Sequence, residues 1–409
     1  MRSQDKPHEQ GFTLVEIMVA TAVTSVIVLA GMSALTMTGK AVRANEQISG
    51  AQQNARMAME MITHDIKLAG FGPPIDPSRN PPPVGNCGIG GIPVPILPGD
   101  NNPTVGVPDT GPDQISLVVP LTFYGGPAAV PPSWQTIAAL GVGAGGFAAV
   151  PINAAILPNM VAAGLTANSY ISLGGIVATQ VGGAAAPLVP TVPDPGPTQV
   201  PVGTQIFILQ CITYQVIPQL AGGAPGADLN NICAGNAPCL VRGIANATVA
   251  SFGRVLPNCN VPNSPCLPIV DGIEDLQLAY ACDGCLLPAA GLSEPDGRID
   301  DVSLNLIFDQ PDYISNQIWS TPPMTPSAIK MVQVSIVARQ QSVDNGLGDG
   351  NSQAGAGTLS TTFLTVDDHA HANGVFVAGD TGAQIPPYAS VRRRVLTRTV
   401  ETRNARPWS

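Results

Sequence analysis

The apolar positions of the chain change period as the sequence is followed from its start. From Phe12 to Met37 almost every position is apolar or small, Glu16 is the single charge, and no lysine or arginine interrupts the run. A segment that is apolar on every side reads as a membrane-spanning helix. At ~1.5 Å per residue it reaches about 39 Å, more than a hydrocarbon core of ~30 Å requires. From Ala44 the pattern narrows to a stripe: Ala44, Ile48, Ala51, Ala55, Ala58, Ile62, Ile66 and Ala69 recur at steps of three or four. That is one face of an amphipathic helix. Arg43, Glu46, Gln47, Gln53, Asn54 and Glu60 largely occupy its other faces. Gly70 and Gly72, followed by Pro73 and Pro74, stop it. The pattern predicts one long helix over about 12–70, oily in its first half and carrying a small-residue stripe for packing on a globular body in its second.

Past the helix the dominant period is two. Strand candidates are Gln114–Val119, Gln205–Val216, Ile273–Cys282, Val302–Phe308, Met331–Arg339 and Arg394–Val400. In the fifth, Val332, Val334, Ile336 and Ala338 face one way, and Gln333, Ser335, Val337 and Arg339 the other. Such alternation predicts a sheet with one buried face. An antiparallel sheet carrying the amphipathic helix is an α+β domain. Residues 71–112 read as a Pro/Gly-rich loop. The rest, 113–409, reads as a β-rich globular domain, with an insertion of short strands at about 125–200 that is rich in Ala, Gly, Val and Pro.

Composition sharpens this picture. The 44 glycines and 41 prolines make up about a fifth of the 409 residues, against a usual ~12%, so long stretches must be turns and irregular loops. The net charge is −10, and an acidic body exerts no long-range attraction on phosphate backbones, so no nucleic-acid partner is expected. Arg2 and Lys6 precede the apolar run, which predicts a cytoplasmic N-terminus and an exported C-terminal domain. A secretory signal would place its small-x-small cleavage site after the run. Here the conspicuous small residue, Gly11, stands before it.

Gly11-Phe12-Thr13-Leu14-Val15-Glu16 resembles the class III signal of type IV pilins and type II secretion pseudopilins. The resemblance implies a prepilin leader over 1–11, cleavage by prepilin peptidase between Gly11 and Phe12, and methylation of the new Phe12 amine. It also offers a reason for Glu16. A charge at mid-bilayer costs on the order of 2.5–3.5 kcal/mol, and the amine of a neighbouring subunit could neutralise it during assembly. Glu16 lies only about 6 Å along the axis from its own amine, so snorkelling and an intrachain role stay open beside that one. Further along, Gly272–Tyr280 and Ile329–Arg339 are similar to strands of PilW-type minor pilins, and the run from Arg392 to Arg403-Asn404 is similar to the way that family ends. The resemblance implies a non-catalytic minor pilin that helps initiate or cap a type IV pilus. Its partners would be other minor pilins, the major pilin and a tip adhesin, and it would move from the inner membrane to the pilus or its tip. A J-type pseudopilin of type II secretion shares the helix and signal. A membrane-anchored exported enzyme is the reading from another class.

Candidate chemistry beyond the signal is sparse. Cys87, Cys211, Cys233, Cys239, Cys259, Cys266, Cys282 and Cys285 all follow the membrane helix. An even number in an exported region predicts disulfides, although eight cysteines allow 105 connectivities. Short loops favour Cys233–Cys239, Cys259–Cys266 and Cys282–Cys285, leaving Cys87–Cys211. Asp367, His369 and His371 could lie on one side of a strand as metal ligands, but an exposed polar turn or strand is the plainer reading, and neither metal nor cofactor is assigned. Asp344–Asn351 resembles a calcium loop in composition only and lacks EF-hand spacing. P-loop, HExxH and G-x-S-x-G motifs are absent from the sequence.

Overall fold

A computed structural model describes residues 12–71, 88–89, 92–99, 111–120, 134–139, 149–163, 165–167, 169–175, 177–185, 187–188, 200–217, 233, 238–244, 266–285, 297–305, 308–315, 317, 319, 324–340, 364–371 and 392–402. It opens on α1 (Leu14–Leu68), a single helix of 55 residues, about 80 Å long at the usual rise. The chain leaves α1 at Ala69, whose N–H reaches the carbonyls of Asp65 and Ile66. Gly70, with φ +74°, then turns it toward the body.

The strands follow in chain order as β1 (Gly88–Ile89), β2 (Ile92–Pro93), β3 (Ile96–Gly99) and β4 (Gln114–Pro120). A short helix, α2 (Leu157–Ala162), precedes β5 (Tyr170–Leu173), β6 (Val177–Gln180), β7 (Ile206–Ile217), β8 (Cys239–Ile244) and β9 (Cys266–Asp271). β10 (Ile273–Cys282), β11 (Ile329–Arg339), β12 (Thr365–Val366), β13 (His369–Ala370) and β14 (Arg393–Glu401) complete the set. Strands β3 to β9 form an antiparallel sheet organised around β7, which pairs with β4 on one edge and with both β5 and β8 on the other. A second antiparallel sheet has the order β10-β11-β14. β12 and β13 form a small hairpin. The long helix and the antiparallel sheets are the α+β architecture expected from the pattern.

The chain passes from the first sheet to the second at Gly272, between β9 and β10. Its φ is +76°, and a Cβ there would sit 2.9 Å from the carbonyl oxygen of Arg339, so only glycine fits without a shift. Asn54 on α1 donates to the carbonyl of the preceding Asp271 at 2.8 Å, tying the helix to this crossover.

The principal core lies between α1 and the sheets. Ala55, Ala58, Met59, Ile62 and Ile66 meet Leu276, Leu278, Val332, Val334 and Ile336. The stripe read from the sequence is the buried face, with Ile48 half-buried near its start. Alanine at five of its eight positions keeps the helix axis close to the sheets. A second core gathers around Met160, Leu165, Ile171, Leu173 and Ile208, so the described part of the 125–200 segment has an apolar centre of its own.

One buried charge on α1 departs from the apolar stripe. Asp65, 1% exposed, accepts a hydrogen bond from the Tyr214 hydroxyl at 2.6 Å and one from Arg242 Nε at 3.2 Å. Both partners stand on the first sheet, on β7 and β8. The helix is thereby fixed to that sheet by a directional, charge-assisted contact as well as by apolar packing.

Several expectations are corrected. The second face of the β10-β11-β14 sheet is closed to water at β10 and β11, while β14 stays largely exposed. All ten residues of β10 are buried, and so are Gln333, Ser335, Val337 and Arg339 on β11. Their polar groups are matched locally: Gln310 and Gln333 exchange amide hydrogen bonds at 2.8 and 2.9 Å, and Ser335 meets Thr397 at 3.0 Å. The described residues of Val302–Phe308 form turns rather than a strand. Asp301 Oδ1 captures the Asn305 N–H, and Leu304 adopts φ +58°, so side-chain bonding to the backbone displaces the ladder. The 71–112 segment, read as loop, contains β1, β2 and β3, and β3 pairs with β4. Residues 1–11, Cys87, Cys259, Asp344–Asn351 and Arg403-Asn404 lie outside the described residues.

Two stability outcomes follow. Asp65→Ala leaves Arg242 buried without its carboxylate and should destabilise the chain by about 3–5 kcal/mol. Chemical denaturation of the detergent-solubilised protein measures this, and a loss below about 1 kcal/mol would mean that the contact is peripheral. Asp312 gives a pH dependence. Burial pushes its carboxyl up, but the N–H groups of Asp309 and Ser303 outweigh burial and hold it below the usual range. A depressed folded-state value contributes stability above the unfolded value and loses it as pH falls through the folded one. Asp312→Asn should therefore flatten the acid side of the stability profile below about pH 4 while lowering stability at neutral pH.

Candidate functional site

The start of α1 is built by a reciprocal pair. Thr13 is the N-cap, and its hydroxyl oxygen accepts the Glu16 N–H at 3.2 Å. Glu16 Oε2 in turn accepts from the Thr13 N–H and the Thr13 hydroxyl, each at 2.9 Å. This is a capping box, which satisfies donors that a helix otherwise leaves bare at its first turn. A carboxylate in that turn also faces the positive end of the helix dipole. The intrachain role left open by the sequence is therefore present in the single chain. Thr-x-x-Glu ahead of an apolar run is the sequence signature of this box.

Beyond the box, none of the described residues covers the membrane-length half of α1. Phe12 is 86% exposed and Leu35 74%, and the window apolar enough to cross a membrane has 0% of its residues buried. Its hydroxyls turn inward: Thr21, Thr24, Ser25, Ser33, Thr36 and Thr38 each donate to a carbonyl three or four residues back. The surface left to the surroundings is nearly all hydrocarbon. An apolar surface of this extent calls for lipid or for other apolar helices. Phe12 and Glu16 sit together at its tip, and Gly11 lies just before the described residues.

The structure joins Cys233 to Cys239 and Cys282 to Cys285. Cys211 and Cys266 are also disulfide-bonded, and none of the described cysteines is a free thiol. Cys282 and Cys285 close the end of β10, where Asp300 accepts the N–H groups of Gly284 and Cys285. Both cysteines are buried, at 1% and 0% exposure.

The histidines are not in an exposed turn. His369 and His371 are 0% exposed. His369 Nδ1 lies 2.9 Å, and His371 Nε2 3.1 Å, from the same oxygen of Asp275, Oδ2. Asp367 stands apart from this group. It occupies the hairpin turn with φ +50°, and burial foremost, with the Asp275 charge adding, pushes its carboxyl up against a hydrogen bond from Ser335. Burial would raise the Asp275 carboxyl too, but the two imidazoles reverse this and hold it well below the usual range. Its neighbour Glu274 is held down, against burial, by Arg393, whose Nε and Nη2 lie 2.5 and 2.8 Å from the two carboxylate oxygens. Two adjacent acidic residues inside a largely apolar strand are the sequence signal for this cluster. Their partners lie 94 and 119 residues away, and periodicity does not carry such distances.

Comparison with known proteins bears on the helix. Residues 6–32 match the prokaryotic N-terminal methylation motif. The N-terminal segment is type IV pilin-like. The chain is also similar to the pilin-like protein PilA3 of Thermus thermophilus, with 36% identity over 62 residues. That match covers 15% of this chain and 27% of the relative. No solved structure gives a significant match. The prepilin-type motif and the bare apolar helix together fit membrane anchoring.

The disulfides yield a direct expectation. Alkylation of the native protein before reduction should leave Cys211, Cys233, Cys239, Cys266, Cys282 and Cys285 unlabelled in peptide mass spectra. Stoichiometric labelling of any of these six in exported protein would contradict the assignment.

Proposed function

We propose that the chain is a PilW-type minor pilin, a non-catalytic subunit that helps to initiate or cap a type IV pilus. The observation that carries this reading is the bare apolar half of α1, which begins at a prepilin-type signal and ends on a β-rich body that leaves it uncovered. The similarity of Gly272–Tyr280, Ile329–Arg339 and the Arg392-to-Asn404 run to PilW-type sequences supports the finer assignment. In this reading prepilin peptidase cuts after Gly11, the Phe12 amine is methylated, and the helix moves from the inner membrane into a bundle of other minor pilins and the major pilin. The exported body would face the tip, where an adhesin is the expected neighbour. A J-type pseudopilin shares the helix and differs in its assembly partners.

Glu16 then acts in two settings. In the single chain it completes the capping box, and in the bundle its carboxylate accepts the amine of the adjoining subunit. Pairing relieves the cost of a charge held in an apolar bundle. Exchange between the two settings requires no large motion, because both use the same first turn of α1.

Mature protein should begin at N-methylated Phe12, as read by intact mass. Retention of Met1 in cells with active prepilin peptidase would refute this processing. Glu16→Gln separates the two roles of the carboxylate, because glutamine at this position can still close a capping box but carries no charge. The variant should be inserted and processed normally, yet crosslink poorly to other minor pilins. Thr13→Ala should do the converse, weakening the helix start by about 0.5–2 kcal/mol while leaving the charge in place. Crosslinking at wild-type level by fully processed Glu16→Gln would remove intersubunit pairing from the account.

A further inference from the structure

The β12–β13 hairpin brings two histidines from late in the chain onto a buried carboxylate of β10. We propose that Asp275, His369 and His371 form a binding site for one zinc-class divalent cation, which fastens the hairpin to the β10-β11-β14 sheet. This inference is independent of the pilin reading.

The geometry is close to that of a coordination sphere. Candidate donor atoms of the three residues all lie within 4.8 Å of one another. Two ring nitrogens converge on one carboxylate oxygen, at 2.9 and 3.1 Å. Around a tetrahedral zinc, bonds of about 2.0–2.1 Å set neighbouring donors roughly 3.3 Å apart. The two nitrogen–carboxylate separations therefore need to open by only a few tenths of an ångström to admit the ion, and the two ring nitrogens lie within 4.8 Å of each other.

The donor chemistry selects the class of ion. Two imidazoles and a carboxylate suit zinc and related first-row metals, whereas calcium and magnesium take six or more oxygens. The carboxylate is also held from behind. Gln277 Nε2 donates to Asp275 Oδ1 at 2.9 Å and to the Gly111 carbonyl at 3.2 Å. That leaves Oδ2 directed at the histidines. Outer-shell support of this kind orients metal ligands and tunes their affinity. The strong nearby cations are engaged elsewhere: Arg393 and Arg339 lie against Glu274, with Arg339 Nη1 at 3.9 Å.

Full burial defines the role. All three ligands are 0% exposed, so the site offers no face for a substrate, and a fourth coordination position falls to a trapped water. The cation would act as a cross-link between segments 94 residues apart in sequence, in the way a disulfide restrains a long loop.

The test uses the full-length chain, purified in detergent without a polyhistidine tag, stripped with chelator and titrated with Zn²⁺ or Co²⁺. Only four histidines occur in the sequence, His8, His64, His369 and His371, so a two-imidazole signature is diagnostic. The wild type should bind one equivalent, and Co²⁺ should give a four-coordinate spectrum without thiolate charge transfer. The H369Q/H371Q double variant should lose more than about 100-fold in affinity, beyond the ~10–100-fold expected of an outer-shell change such as Gln277→Leu. If the double variant fails to fold, X-ray absorption of the zinc-loaded wild type decides, and two imidazole ligands with oxygen support the site. Absence of stoichiometric binding, undiminished binding by a folded double variant, or sulfur ligation would overturn it and leave a hydrogen-bonded polar cluster.

Discussion

One helix has to be compatible with two media, and the rest of the structure is arranged around that requirement. The first half of α1 presents hydrocarbon in every direction and is covered by none of the described residues. The second half must leave the membrane and hold a large, loop-rich body at a fixed attitude. Apolar packing is non-directional, and an alanine stripe alone would tolerate sliding along the sheets. Asp65 supplies the missing direction, because the Tyr214 hydroxyl and the Arg242 guanidinium can both reach it in only one register. The Asn54 contact to the backbone at the β9–β10 crossover adds a second fixed point about three turns earlier.

The β10-β11-β14 sheet meets the helix with one face and encloses a polar layer with the other. Buried charge seldom adds net stability, since desolvation offsets the attraction. What this layer does contribute is constraint. Glu274 and Asp275 are adjacent on one strand, yet the first is matched by arginines and the second by imidazoles. A shift of β10 by one residue would exchange those partners and carry Leu276 and Leu278 to the wrong face. The register is therefore set twice, by the apolar core on one side and by charge pairing on the other.

The sequence made some of this legible because the relevant signals are local. A helix over about 12–70 and five of the six proposed strands can be read from periods of 3.6 and 2, since each residue's exposure repeats within a few neighbours. The polar face of β11 misled because alternation reports polarity, and polarity was equated with solvent. Gln333 and Ser335 are polar and buried, matched by Gln310 and Thr397 from other segments. The same limitation hid Asp65 and Asp275, whose environments are made by residues far along the chain. Val302–Phe308 failed for the opposite reason, since a local competitor, the Asp301 side chain, captures the backbone that a strand would have used. In the candidate site, the Phe12–Glu16 signal and the Thr-x-x-Glu spacing of the capping box are local in sequence, whereas the histidine cluster is visible only in the geometry.

The spacing of the two described cysteine pairs bears on export. Cys233–Cys239 and Cys282–Cys285 enclose separations of six and three residues. If the body is exported as proposed, each pair leaves the membrane almost together, so an oxidant outside could join it before the later strands β11 and β14 have emerged. Loops this short meet on a timescale far below that of chain synthesis. Once both are closed, four of the eight cysteines remain, and four allow three pairings. On that proposal, vectorial passage through the membrane would do much of the sorting, and the folding body would inherit a far smaller choice than the free chain would face.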